Sequence, residues 1–352
     1  MSTDPTIEVT GVAQKQHWAD KTFPDVEEVR SGLWSIPVPM GAIPVRYTLA
    51  CAFVAPEGVL LVDPGYADDE SLAALRTGYE KAGVTLADTV GVLITHAHLD
   101  HFGLARAVQQ ESGAWVGMHQ DDVAVLTSAL ARTAEDERAS LTPWGVPAEL
   151  TDEMLWSSTE HGERMPLPEW NKQISDGMVI RHGDRDFVLI TTPGHTAGHT
   201  CIYVPQDDVL LTGDHVLPRI SSHVGDPAWH AEPPALARYS DSLHKLTQYA
   251  SAEVLPAHEY RFRDIAARVA QLEVHHAERS DEIVDALRSL ADETTWEIAK
   301  QLTWSRGWDA LNSHSLRMAV AETSSHLNLL REQGRVVFEG TAPARYRVAA
   351  ND

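Results

Sequence analysis

The chain has 352 residues, a formal charge of -23 and an apolar fraction of 43%. Such a chain can bury the core of one large or two ordinary domains, while its acidity argues against a nucleic-acid footprint spread over the whole surface. Cys51 and Cys201 are the only cysteines, which excludes a disulfide framework and a thiolate zinc cage and leaves two buried, reduced thiols as the expectation. Met1 to Gln16 lacks the basic start and apolar core of a signal peptide. No apolar run reaches the ~18 residues of a membrane span, so a soluble, cytoplasmic protein is expected.

In chain order, residues 1–31 are polar and read as a loose lead-in. From Gly32 the pattern turns to strands: Leu33–Val38, Tyr47–Val54 and, after the turn at Pro56-Glu57-Gly58, Val59–Val62, which ends on Asp63. Residues 69–82 have helical spacing. Val90 to Ile94 reads as a buried strand, and His96, His98, Asp100 and His101 follow it directly. Imidazole and carboxylate suit zinc and similar divalent metals, and four such groups on one loop are hard to explain as a solvated face. Residues 104–172 read as a helical insertion with Trp144, Trp156 and Trp170. It serves equally as a cover for the sheet and as a lid or pocket wall.

The pairing of strand and polar residue then recurs. Phe187–Thr192 runs into His195, Val209–Gly213 into Asp214, and Glu253–Ala257 into His258. Ligands on rigid strand ends can be held to the geometry that a metal demands. From Asp264 the strands stop. One long helix is expected over 264–290, further helices over 295–302 and 315–332, and a short hairpin from 334–340 and 345–348, an order that suggests a winged-helix unit. The expected domains are a catalytic one over 32–263 and a helical, winged-helix-like one over 264–352.

His96-Ala97-His98-Leu99-Asp100-His101, then Pro193-Gly194-His195-Thr196, Gly213-Asp214 and Pro256-Ala257-His258, resembles the metallo-β-lactamase superfamily over roughly residues 32–260. The resemblance implies an α/β fold, the αββα sandwich, with a metal pair at one edge. One ion would take His96, His98 and His195, the other Asp100, His101 and His258, with Asp214 bridging. Asp63 matches the aspartate that supports the ligands from the preceding strand. Zinc is the first expectation, with iron and manganese suited by the same donors.

Metals about 3.5–4 Å apart can share a hydroxide and stabilise a developing oxyanion, with Asp100 as the catalytic group that holds the hydroxide and passes on its proton. Asp214 stands where the best-known zinc β-lactamases carry cysteine. That departure counts against antibiotic hydrolysis and favours the glyoxalase II-like hydrolases, lactonases and nucleases. The stretch 271–279, with the expected winged helix after it, resembles the C-terminal domain of the β-lactamase-like hydrolases, a branch that includes an endoribonuclease.

His199 and His215 each lie within four residues of a ligand and read as partners that fix ligand orientation. His223 reads as a substrate contact or a plain loop residue. His161 is taken as a surface residue, His275 and His276 as structural, and Trp304 and Trp308 as core. Between Glu297 and Arg347 seven basic residues face five acidic ones, less than the dense stripe of a backbone-binding surface. The C-terminal domain is therefore read first as a substrate-pocket or homodimer-building appendage, and second as an RNA contact. The expectation is a hydrolase of a small-molecule ester, thioester or lactone. The alternatives are an endoribonuclease cutting single-stranded RNA and a non-hydrolytic, iron-loaded relative.

Overall fold

The structure is a computed structural model that describes residues 6–41, 45–155, 167–225, 233–290, 292–340 and 342–350. Trp156 and His161 lie outside that set. The chain opens with β1 (Glu8–Val9), α1 (Val12–Asp20), β2 (Glu27–Arg30), β3 (Leu33–Pro39), β4 (Tyr47–Ala55), β5 (Gly58–Val62) and α2 (Asp69–Lys81). Next are β6 (Thr89–Leu93), α3 (Leu99–Phe102), α4 (Ala105–Ser112), β7 (Trp115–His119), α5 (Gln120–Ala131), α6 (Ala134–Leu141) and α7 (Ala148–Thr151). The middle of the chain adds β8 (Trp170–Ile174), β9 (Val179–His182), β10 (Arg185–Thr191), β11 (Thr200–Val204), β12 (Val209–Gly213), α8 (Ala235–Leu246), β13 (Glu253–Pro256) and β14 (Phe262–Arg263). The last elements are α9 (Ile265–Leu290), β15 (Glu293–Thr294), α10 (Thr295–Ala299), α11 (Ser313–Glu332), β16 (Val336–Glu339) and β17 (Arg345–Val348). Two compact units result, one drawn from residues 1–127, 165–222 and 242–270, the other from 128–164, 223–241 and 271–352.

The first unit holds two mixed sheets, ordered β2-β3-β4-β5-β6-β7-β8 and β1-β14-β13-β12-β11-β10-β9. Strand alternation assigns the core. Cys51, Phe53, Leu60 and Val62 join Phe187, Leu189, Ile202 and Leu211 in the layer between the sheets, while their neighbours Ala50, Ala52, Val59 and Leu61 pack with Leu75, Tyr79 and Val108 of α2 and α4. Both faces are thus covered, which is why these strands read as unbroken apolar runs. Phe53 and Phe187 meet edge to face across the layer, with ring centroids 4.6 Å apart, a favoured aromatic geometry. Helix α2 starts where Asp68 accepts the Ser71 N–H at 2.7 Å, a side-chain cap for an otherwise orphaned donor.

The 1–31 segment is not a loose lead-in. β1 pairs with β14, β2 pairs with β3, and the Thr10 N–H donates to the Arg261 carbonyl at 3.1 Å. Both are short edge strands, β1 held by backbone pairing and β2 also by charge. Arg30 meets Glu253 at 2.6 Å, and Arg261 meets Glu27 at 2.5 Å. Their polarity hid them from hydrophobic patterning. The 104–172 stretch also differs from a wholly helical insertion, because β7 and β8 extend the first sheet in parallel with β6.

Trp170 lies on β8 and packs beside Phe102, and Trp144 is 4% exposed in a core with Leu141, Met154, Trp296 and Val320. Both are packing residues rather than pocket walls. Residues 128–155, read as part of the insertion, fall with the second unit for the same reason. There the Trp144 indole N–H donates to Ser324 Oγ at 3.1 Å. Ile283, Leu287, Ile298, Leu327, Leu330 and Tyr346 form a second core under a three-stranded sheet, ordered β15-β17-β16. Trp304 and Trp308 pack against these cores from a loop and a short 3-10 turn, not from a helix. Among the described residues no helix is long and apolar enough to cross a membrane. Cys51 and Cys201 are free and buried, and burial pushes both thiols up to about 12.

Candidate metal centre

Strands β5, β6, β10, β12 and β13 each end one to four residues before a polar residue of the centre. β10 and β12 are both antiparallel to β11, and β12 is parallel to β13. Hence the C-terminal ends of these three strands, and with them His195, Asp214 and His258, come to one edge of their sheet. β5 and β6, parallel to each other, bring Asp63 and His96 side by side in the other sheet. Beyond His96 the chain passes through His98 into the short helix α3, whose first turn carries Asp100 and His101.

The seven residues singled out by residue type converge in two groups. In the first, His96 Nε2, His98 Nδ1 and His195 Nε2 form a triangle with sides of 2.9, 3.0 and 3.2 Å. Asp214 Oδ2 stands 4.0 Å from His96 and 3.8 Å from His195. In the second, Asp100 Oδ2 lies 3.3 Å from both His101 Nε2 and His258 Nε2. The other oxygen of Asp214, Oδ1, is 3.5 Å from His101 and 3.1 Å from His258. Asp214 therefore offers one oxygen to each group.

Donors about 2.0–2.1 Å from a zinc ion stand about 3.3 Å apart along the edges of a tetrahedron, and the observed separations bracket that figure. Two buried atoms pointing inward, His101 Nε2 and Asp214 Oδ1, have no hydrogen-bond partner among the described residues, a costly arrangement for polar atoms without a ligand. Nitrogen and carboxylate oxygen donors, convergent and orphaned in this way, fit a pair of divalent cations.

The outward nitrogens show how the ligands are aimed. Asp63, 3% exposed, accepts the Thr95 N–H at 2.8 Å on Oδ1, and the Thr95 hydroxyl at 2.7 Å and His101 Nδ1–H at 2.9 Å on Oδ2. Having spent its proton on Asp63, the Thr95 oxygen accepts from His96 Nδ1–H at 3.0 Å. His258 Nδ1–H donates to the Tyr47 carbonyl at 2.8 Å. Carboxylate and carbonyl oxygens only accept, so His96, His101 and His258 each keep a proton on the outward Nδ1, and Nε2 is the nitrogen that a cation would take. His195 Nδ1 is anchored by Ser222 Oγ at 3.0 Å. Such outer partners fix tautomer and ring orientation at metal sites.

The two groups differ in charge. Burial, reinforced by the neighbouring imidazoles, pushes His96 well below the usual histidine range and His98 down to about 3, so both are neutral donors. Burial acts against His258 as well, but Asp214 and Asp100 outweigh it and raise the ring to about 10; His101 moves up by the same balance. Asp100 and Asp214 are held well below the carboxylate range, burial notwithstanding, by His101 and His258. A strong negative potential thus sits where positive charge is wanted.

The sequence singles out three further residues beside the ligands, His199, His215 and His223. His199 stacks at 5.1 Å from His96, bonds Thr192 Oγ at 2.8 Å, and packs against the His215 ring at 5.3 Å. Both are buried, and the His199 ring also lies 6.0 Å from that of His195. His223 belongs to the second unit, where its Nδ1 lies 3.9 Å from Glu322. Sequence reading missed Thr95, Asp122, Ser222 and Glu259. Buried Glu259 adopts φ +70 directly after His258 and accepts the Arg219 and Ile220 N–H groups at 3.0 and 3.4 Å. Arg268 then holds the same loop through the Leu217 and Ile220 carbonyls at 2.7 and 2.8 Å.

A two-sheet sandwich with paired donor sets at one edge defines a class, and the chain belongs to the metallo-beta-lactamase superfamily, whose family model matches residues 44–258. A metallo-beta-lactamase family protein from Thermus thermophilus superposes with a TM-score of 0.77 at 27% identity, covering 91% of this chain and 100% of that one. A probable metallo-hydrolase of Bacillus subtilis is 22% identical over 79% of this chain and 86% of its own length. An atrochrysone carboxyl ACP thioesterase of Aspergillus fumigatus is 27% identical over 48% of this chain and 40% of its own.

Proposed function

We propose that the protein is a metal-dependent hydrolase that opens an ester, thioester or lactone of a small molecule, with zinc as the first metal. The observation that carries this reading is Asp214, whose two oxygens face two separate donor sets 3.1–4.0 Å away. His96, His98 and His195 would hold one cation and Asp100, His101 and His258 the other. Two such ions supply Lewis acidity toward a carbonyl oxygen and lower the pKa of water toward neutrality.

The chain's own part is positioning and proton transfer. Asp63, Thr95 and the Tyr47 carbonyl hold the Nδ1 protons of three rings, so the rings need no reorientation to offer Nε2 to a cation. Asp100 is ionised and its side chain is 16% exposed. With Oδ2 facing His101 and His258, it can accept a proton at its other oxygen, Oδ1, and return it to a leaving group, the work of a general base and then acid. No serine or cysteine nucleophile is called for, and the two buried cysteines are unsuited to the role.

The thioesterase relative supports a carbonyl substrate. A panel of thioesters, aryl esters and lactones, run beside labelled single-stranded RNA, tests the reading. Carbonyl turnover that disappears with chelator and in Asp214→Ala supports it. RNA cleavage with the same two controls, and no carbonyl turnover, replaces it with a nuclease.

A further inference from the structure

Asp122 lies in the first turn of α5 and is fully buried. It accepts three hydrogen bonds: Ala97 N–H at 2.9 Å and Thr196 Oγ–H at 2.7 Å on Oδ2, and Gly198 N–H at 2.6 Å on Oδ1. Ala97 lies between His96 and His98, and Thr196 directly follows His195. Every histidine of the first group is thus one residue from a donor to this carboxylate. The approach is close. A Cβ on Gly198 would stand 2.9 Å from the Asp122 nitrogen and 2.8 Å from His119 Nδ1, so glycine lets the two loops meet. The second group is tied elsewhere, His101 to Asp63 and His258 to the Tyr47 carbonyl.

We propose that Asp122 is a positioning residue for one half of the centre, clamping the 96–98 loop to the 195–198 loop so that the three imidazoles converge. This rests on the metal-dependent reading above. A carboxylate has about four acceptor sites, and charge-assisted bonds to it are about twice as strong as neutral ones. An asparagine at this position would turn an amide N–H toward at least one N–H or O–H donor, pushing the loops apart without changing side-chain volume. A residue that only caps α5 would affect stability but not one metal in preference to the other.

The test is a Zn2+ affinity cycle on the full chain. Asp122→Asn is placed in a His258→Ala background, which leaves the three-histidine group, and in a His96→Ala background, which leaves the other. The expected result is a loss of about 10–100-fold in Zn2+ affinity in the first background, the usual cost of removing an outer partner, and less than about threefold in the second. Asp122→Glu, which keeps the carboxylate, should recover part of the loss. Equal losses in both backgrounds, or no loss in either, overturn the proposal. Should Asp122→Asn not fold, Thr196→Val removes one donor and is expected to shift the same background alone. A wild-type chain that binds no Zn2+ sinks the metal-dependent reading itself, whereas wild-type binding with an indifferent Asp122→Asn sinks only this inference.

Discussion

Replacing Asp63 by asparagine tests the aiming of the ligands at its source. Oδ1 accepts the Thr95 N–H at 2.8 Å, and Oδ2 accepts both the Thr95 hydroxyl at 2.7 Å and His101 Nδ1–H at 2.9 Å. Asparagine keeps the shape but offers one oxygen. If that oxygen stays on the Thr95 amide, its NH2 group faces Thr95 Oγ and His101 Nδ1. His101 must then carry its proton on Nε2 and lose the inward lone pair, and the Thr95 hydroxyl can no longer serve both Asp63 and His96. Two bonds to a charged group are lost, each worth about 1.5–3 kcal/mol, so roughly 3–6 kcal/mol is at stake between stability and metal binding. Removal of an outer partner typically weakens metal affinity about 10–100-fold.

Asp63 serves His96 and His101, one from each group, so both metals should weaken together, unlike the one-sided loss expected for Asp122. Metal competition with a chelator, read beside thermal unfolding of the chelated protein, separates the two contributions. A variant that keeps two metals at wild-type affinity would refute the tautomer argument.

Other perturbations rest on the same geometry. Gly213→Ala places a Cβ 2.7 Å from His199 Nε2 and 2.9 Å from Thr95 Oγ, on a residue with φ +50. It should lower both the midpoint of unfolding and the metal content, and unchanged metal content would speak against the Thr95 link to His96. Ser324→Ala leaves the buried Trp144 N–H without its acceptor and should cost about 1–3 kcal/mol in denaturant titration; a change under about 0.5 kcal/mol, the scale of a surface substitution, would mean that the bond is not formed. In the second unit burial holds His276 down to about 4 and His326 to about 3, with His275 and Arg279 adding and Glu322 opposing. The unfolded chain takes up protons near 6.5 while the native one does not, so stability is full above that pH and falls as pH drops toward 4. The slope is about 1.4 kcal/mol per pH unit for each ring. His326→Asn should flatten the denaturant-midpoint profile between pH 6.5 and 4, and an unchanged profile would contradict the assignment.

What could be read in the chain depended on how local the signal was. His96, His98, Asp100 and His101 lie within six residues after a buried strand, and His195, Asp214 and His258 each come after an apolar run of their own. Residue type and position therefore pointed to them before any fold was known, and the fold brings those seven together. The long helix, α11 and the last hairpin were legible from the spacing of apolar residues, because one face of each is buried. Asp122, Ser222 and Glu259 carried no such mark. Each is one polar residue on a helix start or loop, and only the folded chain shows the contact it makes 25 residues or more away in sequence. β1 and β2 escaped notice because backbone pairing holds the one and ion pairs to Arg261 and Glu253 the other, rather than apolar alternation. Trp144 stayed open between two readings for the opposite reason. A large aromatic in a proline-rich stretch fits a lid as well as a core, and burial beside Trp296 decides for the core.

The most direct measurement is turnover by the metal-analysed protein on the ester, thioester and lactone panel, with and without chelator, beside Asp214→Ala. Removal of the carboxylate that faces both donor groups should abolish carbonyl hydrolysis and reduce bound metal, and chelation of the wild type should do the same. Undiminished hydrolysis by Asp214→Ala, or by chelated protein shown to be free of metal, would contradict the account.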